Sequence, residues 1–332
     1  MHAGFGKRSE ETDRSSTGTA PQADFHRPPT SVLVKFIDGH KGRFGVAPIC
    51  RVLSEHGLKI APSTYYDAKA RPASRRSLRD DELKVEIARV HGENYGVYGP
   101  RKVWMQLNRE GIEVARCTVE RLMNVLGLQG IRRGKQWKTT VPDPTADRAP
   151  DLVKRRFNPL RPNTLWVADF TYVPTWVGIV YVAFVIDAYS RRILGWRAAT
   201  SMRTQLVLDA LEQAVWVRRR DGADSLAGLV HHSDAGSQYT SIAFTDRLAA
   251  AGVSPSIGTV GDCDNALAET VIGLFKTELI NPNRPWKTVD QVEIATLRYV
   301  DWFNNQRLYE ENGDIPPVEL EQSYYRQHRP SA

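Results

Sequence analysis

The stretch LWVADFTY, residues 165–172, decides the fold class because its length and apolar character are those of a buried β-strand. One residue departs from this character. Asp169 is of a type that strands disfavour, and a buried charge is costly unless it is paired or bound to a metal ion. The stretch therefore predicts both a buried strand and a carboxylate that needs a partner.

The segments that follow predict a mixed α/β fold. The run from Ile179 to Ile186 is apolar almost throughout, so it predicts a strand that is buried on both faces. It is far shorter than the ~20 residues that span a bilayer, so a membrane protein is excluded. Hairpin-like strands first, and then helices alternating with strands, indicate one mixed sheet flanked by helices. The predicted strands are 165–172, 178–186, 192–198, 229–232 and 253–257, and the predicted helices are 204–219, 242–251, 266–279 and 289–304.

Two further carboxylates lie at positions that suit a site. Asp234 follows the strand at 229–232, and ligand sites in open α/β sheets favour such strand ends. Glu269 lies one turn into a helix that begins near residues 264–265, off the apolar stripe of that helix. Asp187 is interpreted as a turn cap between two strands, although the pattern alone does not separate it from Asp169.

Carboxylate oxygens are the ligands that Mg²⁺ or Mn²⁺ prefers. Three carboxylates from two strand ends and one helix can hold two such ions ~3.5–4 Å apart, the arrangement that supports phosphodiester chemistry. The alternative is that each Asp at a strand end only caps a turn. The chain has 3 cysteines and no CxxC pair, so zinc is not expected and a reducing cytoplasm is the expected compartment.

The region before the sheet has a helical pattern. Apolar residues at 44–53, a break at Gly57 and a second short helix at 61–66 favour a helix-turn-helix over a plain helical hairpin. Helices are also expected at 81–91 and 101–110. A further helix is expected to be capped by Thr118 and to bury a stripe that ends at Leu126.

Charge favours nucleic acid as the partner of this region. The net charge is +7, and residues 41–140 contain 20 Lys and Arg against 10 Asp and Glu. The exposed face of the last helix carries three side chains that could reach a DNA groove: Arg116, Arg121 and Asn124. A basic segment then suits an arm that follows phosphates, unless it is only a charged linker. Its cations are Arg132, Arg133, Lys135 and Lys138.

Composition divides the chain into five expected segments. Residues 1–40 predict a flexible polar tail, and residues 141–162, rich in proline, predict a linker. Between them lies a helix-turn-helix DNA-binding region at 41–140. The catalytic core is expected at 163–280 and a helical extension at 281–332.

Several motifs together resemble a known family. LWVADFTY at 165–172, HSDAGSQY at 232–239 and DNALAE at 264–269 resemble the transposases of the IS-three family of bacterial insertion sequences, in their catalytic-subunit form. YGVYG at 95–99 and CTVERLM at 117–123 resemble the helix-turn-helix region of that family.

The resemblance implies a ribonuclease H-like integrase core in which Asp169, Asp234 and Glu269 form the DDE triad. Asn265 and Lys276 lie on the Glu269 side of its helix, where they could steady a carboxylate or contact DNA phosphate; a role at the rim of the core is the alternative. The motif includes His232, but for it and for His231 a hydrogen-bonded strand-end histidine is favoured over a metal ligand. Only 34 residues separate Asp234 from Glu269, one fewer than is typical of the family.

The resulting hypothesis is a Mg²⁺-dependent DNA transposase that cuts the ends of its element and joins their 3′-hydroxyls to target DNA. Its expected partners are the terminal repeats, target DNA, further copies of itself on paired ends, and an upstream protein of the same element. The expected place of action is the cytoplasm, at the nucleoid. An inactive remnant that only binds DNA is the alternative, and a plain transcriptional regulator would not need the α/β half.

Overall fold

The computed structural model describes residues 28–132, 149–154, 156–223, 225–258 and 265–328. The chain forms two compact units, Met1–Leu78 and Arg79–Ala332. The predicted boundaries placed all of residues 41–140 in one DNA-binding region. The structure instead divides that region at Leu78 and joins its second part to the catalytic core.

The described residues of the first unit fold around one small core. Leu33 and Ile37 lie one turn apart on the first helix and are buried with Ile49 and Tyr65. The helix begins at Thr30, so the predicted polar tail is wrong for residues 30–40. The helices of this unit are α1 (Thr30–Phe44), α2 (Val46–Glu55) and α3 (Pro62–Ala70).

The second unit combines a sheet with helices from both ends of the chain. Its helices are α4 (Arg75–Glu93, which begins just before the division), α5 (Pro100–Arg109), α6 (Arg116–Leu126), α7 (Thr204–Arg220), α8 (Ile242–Ala250), α9 (Ala266–Phe275), α10 (Val289–Asn305) and α11 (Pro317–Gln327). Its strands are β1 (Leu165–Thr175), β2 (Gly178–Asp187), β3 (Ile193–Ala199), β4 (Val230–Ser233) and β5 (Ser254–Ile257).

The sheet has the order β3-β2-β1-β4-β5. The first three strands pair antiparallel, whereas β1, β4 and β5 pair parallel, as the mixed-sheet prediction requires. In the parallel pair, Ala168 lies opposite Ser233. The next residue on each strand is an aspartate, so the register alone brings Asp169 and Asp234 to the same edge of the sheet.

The two faces of the sheet bury different residues because side chains alternate along a strand. Val167 and Val173 of β1 pack into a cluster with α9 and α10, while Trp166 and Ala168 pack with α7 and α8. Asp169 follows Val167 by two residues, so its side chain lies on the same face of the sheet, the face that α9 covers. Close packing on the other face requires Gly195, where a Cβ would lie 1.9 Å from the carbonyl oxygen of Ala210.

Helices α4–α6 share their core with the sheet, which explains the unexpected unit boundary. The Trp302 indole donates to Asn94 Oδ1 at 3.0 Å. The Leu308 N–H donates to the Tyr98 hydroxyl at 2.7 Å. These buried contacts join the region before the sheet to the C-terminal helices.

Two local predictions are corrected. Thr118 does not cap a helix: α6 begins at Arg116 after the extended residue Ala115, so Thr118 lies inside the first turn. The helix predicted at 266–279 is α-helical only to Phe275 and continues as a π-helical turn, Lys276–Ile280.

Candidate active site and nucleic-acid interface

Asp169 is the centre of the candidate site. Its Oδ1 accepts the N–H of Phe170 at 2.7 Å. Burial, together with the negative charges of Asp234 and Glu269, raises the pKa of Asp169 to about 8. The N–H of Phe170 and the Lys276 ammonium oppose this shift without cancelling it. The three predicted carboxylates are thus close enough to repel one another.

Asn265 fixes the helix that bears Glu269. Its side-chain Nδ2 donates to the Ala168 carbonyl at 2.8 Å, next to Asp169 on β1, while its own carbonyl accepts the N–H of Glu269 at 3.1 Å. The side chain is buried, so it is not placed to contact DNA. Its burial fits a role in the core, the alternative to contact with a carboxylate or with DNA phosphate.

Glu269 lies in the first turn of α9 with its side chain exposed. Among the described residues, no group of three or more His, Cys, Asp or Glu side chains is close enough to form a complete metal site. Asp169 and Asp234 are partly buried, whereas Glu269 is exposed. The segment 259–264, where the sequence is one residue short of the family spacing, lies outside the described residues.

Lys276 lies beside the carboxylates at the end of α9. Its charge counteracts the raised pKa of Asp169, and burial lowers the pKa of Lys276 itself. The half-buried ammonium is the cation that the structure places next to Asp169. It can hold a neighbouring phosphate or balance part of the acidic charge.

Sequence reasoning gave Tyr239 no role, yet it lines the same site. Its hydroxyl is buried without a hydrogen-bond partner among the described residues. Burial and the charges of Asp169 and Asp234 raise the pKa of Tyr239 well above its usual value, so the hydroxyl stays protonated. Its place in the motif HSDAGSQY was the available signal.

The two histidines before Asp234 differ. His232 is buried with its Nδ1 2.9 Å from Ser256 Oγ, which confirms the prediction of a hydrogen-bonded histidine. His231 is also buried, but its Nε2 has no partner among the described residues. Burial, reinforced by His232, lowers the pKa of His231 to about 3, so this ring is neutral.

Comparison with known proteins agrees with this geometry. The Integrase core domain model matches residues 159–263, a second model of the same description matches 269–328, and the HTH-like domain model matches 78–136. A relative from Mycobacterium tuberculosis, the transposase of insertion sequence element IS986/IS6110, is 63% identical over 83% of this chain and 100% of its own length. The chain belongs to the insertion-sequence transposases.

Two more distant similarities complete the comparison. The transposase of insertion sequence element IS629 from Shigella sonnei is 52% identical to this transposase over 88% of this chain and 97% of its own. The structure of the HTLV-2 integrase catalytic core domain in complex with magnesium (trimeric form) has 17% identity and a TM-score of 0.38, and the match covers 49% of this chain and 98% of that one.

The residues predicted to contact DNA are placed as follows. Arg116, Asn124 and Arg132 of the transposase are exposed. Arg121 is paired with Asp80 at 2.7 Å. The remaining predicted contacts lie outside the described residues: Arg133, Lys135 and Lys138.

Arg116 also lines a cavity between the HTH-like part and residues 274–310. The cavity has a volume of about 460 Å³, and its charged lining combines Arg101, Lys102 and Arg307 with Glu120, Glu278 and Glu310. Lys102 donates to the Leu308 carbonyl at 2.8 Å, and burial lowers its pKa to about 8. In the described residues, no helix is both long and apolar enough to cross a membrane.

Proposed function

We propose that this transposase cuts the ends of its insertion sequence and joins the freed 3′-hydroxyls to target DNA, with Asp169, Asp234 and Glu269 holding divalent cations. Water is the nucleophile for the cut and the 3′-hydroxyl is the nucleophile for joining. One observation carries the proposal. The parallel register of Ala168 and Ser233 brings Asp169 and Asp234, the residues that follow them, next to each other, and the charges of Asp234 and Glu269 add to burial in raising the pKa of Asp169.

The donor set suits Mg²⁺ or Mn²⁺, because such ions prefer carboxylate oxygens and a cation relieves the repulsion between the acids. When bound, two such ions activate an attacking oxygen and stabilise a leaving one. Asp169 and Asp234 would hold them from adjacent strands, and Glu269 would complete the set from α9.

The surrounding residues contribute in other ways. Asn265 holds the start of α9 against β1 and so keeps Glu269 near the aspartates. Lys276 supplies a positive charge for a DNA phosphate beside Asp169. We assign base-groove or phosphate contacts to Arg116, Arg121 and Asn124, and phosphate contacts to the arm formed by Arg132, Arg133, Lys135 and Lys138.

The partners follow from the reaction. Joining two ends of one element requires both ends in one complex, so we propose a homo-oligomer assembled on paired ends at the nucleoid. An upstream protein of the same element is the further partner that we propose. Strand transfer measured with and without that protein tests its contribution.

The decisive experiment is strand transfer on labelled cognate ends with Mg²⁺. Asp169→Asn and Asp234→Asn keep the side-chain volume but remove the charge that holds a cation, so both should reduce cutting and joining to background while DNA binding persists. The exposed Asp246 on α8 offers a matched control, and Asp246→Asn should retain wild-type activity.

Persistent strand transfer in Asp234→Asn would remove that residue from the site. If the wild-type protein bound its ends but neither cut nor joined them under any divalent cation, the chain would be an inactive remnant that binds DNA. Unfolding of both Asn variants would favour a structural role for the aspartates.

A further inference from the structure

The turn between β1 and β2 exposes two large apolar side chains. Trp176 and Val177 form the two-residue tip, and their side chains are 69% and 67% exposed. Turns of this length favour Gly, Asn or Asp at such positions. Here Gly178 supplies the unusual backbone with φ 124°, and its carbonyl accepts the Thr175 hydroxyl at 2.7 Å. The fold therefore does not require an indole at the tip.

A lysine lies over this exposed indole. The Lys287 ammonium is 5.2 Å from the centre of the Trp176 ring. The backbone N–H of Trp176 donates to the Trp286 carbonyl at 3.0 Å, so the residue before Lys287 is fixed to the tip. This backbone hydrogen bond therefore keeps Lys287 close to the Trp176 ring.

A second pair of the same kind connects the tip to the carboxylates. The Lys276 ammonium lies 4.8 Å from the ring centre of Tyr172, whose side chain is 45% exposed. Tyr172 follows Asp169 by three residues on β1 and therefore lies on the opposite face of the sheet, but Lys276, which contacts the Tyr172 ring, also interacts with the Asp169 charge. The exposed Arg284 adds positive charge, since it contributes to lowering the pKa of Lys276 after burial.

We propose that Tyr172, Trp176, Lys276, Arg284 and Lys287 form a strip that binds unpaired DNA nucleotides beside the catalytic carboxylates. This inference rests on the proposed function and names where its substrate strand lies. Bases stack on exposed aromatic rings regardless of sequence, and cations between the rings follow the phosphates. Tyr172 and Trp176 are separated by about 13 Å along the strand, which is room for a few nucleotides.

The occupant is single-stranded rather than duplex DNA because a base must leave its stack to lie on an indole. The charge of the strip is complementary to phosphate: its three charged residues are all cations. Lys276 connects the strip to Asp169, where the reacting phosphodiester is expected. An unpaired strand end that leaves the active site along β1 satisfies all three conditions.

The test measures binding of the full chain to a labelled single strand of about ten nucleotides and to a blunt duplex, without divalent cation. Trp176→Ala should weaken single-strand binding about fivefold or more, and Trp176→Phe should restore most of it. The duplex should be affected much less. Lys287→Gln should weaken binding to both probes and reduce the single-strand salt slope by about 0.7.

Trp216 provides a matched control, because it is 57% exposed on α7 with the Arg220 guanidinium 4.9 Å from its ring centre. Trp216→Ala should leave single-strand binding unchanged. Melting temperatures identify any variant that is misfolded, and Lys287→Gln retains the indole if Trp176→Ala proves unstable.

Wild-type single-strand affinity in both Trp176→Ala and Lys287→Gln would overturn the proposal, as would an equal loss in Trp216→Ala. An equal loss by Trp176→Ala on the blunt duplex would contradict an unpaired occupant. These outcomes leave the proposed function untouched, because that function is tested separately by strand transfer in the wild-type protein and in Asp169→Asn and Asp234→Asn.

Discussion

Asp169 and Asp187 occupy neighbouring strands of one sheet, yet their surroundings are opposite. Burial raises the pKa of both carboxyls. For Asp169 the next largest contribution is the negative charge of Asp234, whereas for Asp187 it is the positive charge of Arg218. Two buried aspartates are thus distinguished by whether the fold supplies a countercharge.

The protein supplies Asp187 with a countercharge and with hydrogen-bond donors. Its carboxylate accepts from Arg218 at 2.9 Å and from the N–H groups of Asn163 and Tyr189 at 2.8 and 2.9 Å. The same guanidinium binds Glu321 of α11 at 2.6 Å. The prediction that Asp187 caps its turn is confirmed, and the network also fastens α7 and α11 to the end of β2.

Asp169 receives the Phe170 N–H and the charge of Lys276, and these do not offset its burial and the charges of Asp234 and Glu269. A cation bound at Asp169 would relieve that repulsion. The region of Asp187 is arranged for stability, and the region of Asp169 is where we propose the chemistry.

The largest expected change in the free energy of unfolding comes from removing Arg218, the countercharge of Asp187. Arg218→Met leaves Asp187 buried without its cation and Glu321 with Arg192 as a remaining cation, and breaking such a buried pair typically costs about 3–5 kcal/mol. Denaturant unfolding of the variant measures this loss. Arg220, exposed on the same helix, offers the control Arg220→Met, which should change the free energy of unfolding little. A loss below ~1 kcal/mol in Arg218→Met would show that Asp187 is not held by its countercharge.

A smaller effect is expected on the pH dependence of the free energy of unfolding, through the carboxyl of Asp169. Because the folded pKa is about 8 and the usual value is 3.8, the native state keeps a proton that the unfolded state loses in this range. Stability contributed by Asp169 is therefore full below pH 4 and falls as pH rises to 8. The carboxyl is partly exposed, so we expect a fall of about 2 kcal/mol.

Asp169→Asn should remove this pH dependence, and Mg²⁺ should reduce it in the wild-type protein by favouring the carboxylate. Free energies of unfolding for both proteins, compared from pH 4 to 8 with and without Mg²⁺, give the measurement. If the free energy of unfolding changed with pH identically in the two proteins, Asp169 would not have a raised pKa. The contrast with Asp187 would then be wrong.

The sequence predicts the surroundings of Asp169 better than those of Asp187. An aspartate inside an apolar strand marks Asp169, and the boundaries of all five strands fall within about three residues of the observed ones because periodicity is local. The partners of Asp187 come from α7 and α11, far along the chain, and no local pattern links them. The boundary at Leu78 was missed for the same reason: contacts such as Trp302 to Asn94 appear only in the folded chain.

The smallest expected effect on the free energy of unfolding comes from two buried asparagines. One lies beside Asp169 and the other lies on α10 against β3. Asn265 Nδ2 donates to the Ala168 carbonyl at 2.8 Å beside Asp169. Asn304 donates to the Ile193 carbonyl at 2.8 Å and accepts the Ile193 N–H at 2.9 Å on β3. Each links a helix to a strand, but only Asn265 precedes a helix that carries a site residue.

Asn265→Ala should cost about 1 kcal/mol, the usual net value of one hydrogen bond, and yet reduce strand transfer strongly because α9 is released from β1. Asn304→Ala removes two such bonds and should cost more stability, but should leave strand transfer near wild type at temperatures where it is folded. Denaturant unfolding and strand transfer, measured on both variants at one temperature, separate the two effects. If activity fell equally in both, Asn265 would act only through stability, and the division of the sheet into a chemical side and a structural side would not hold.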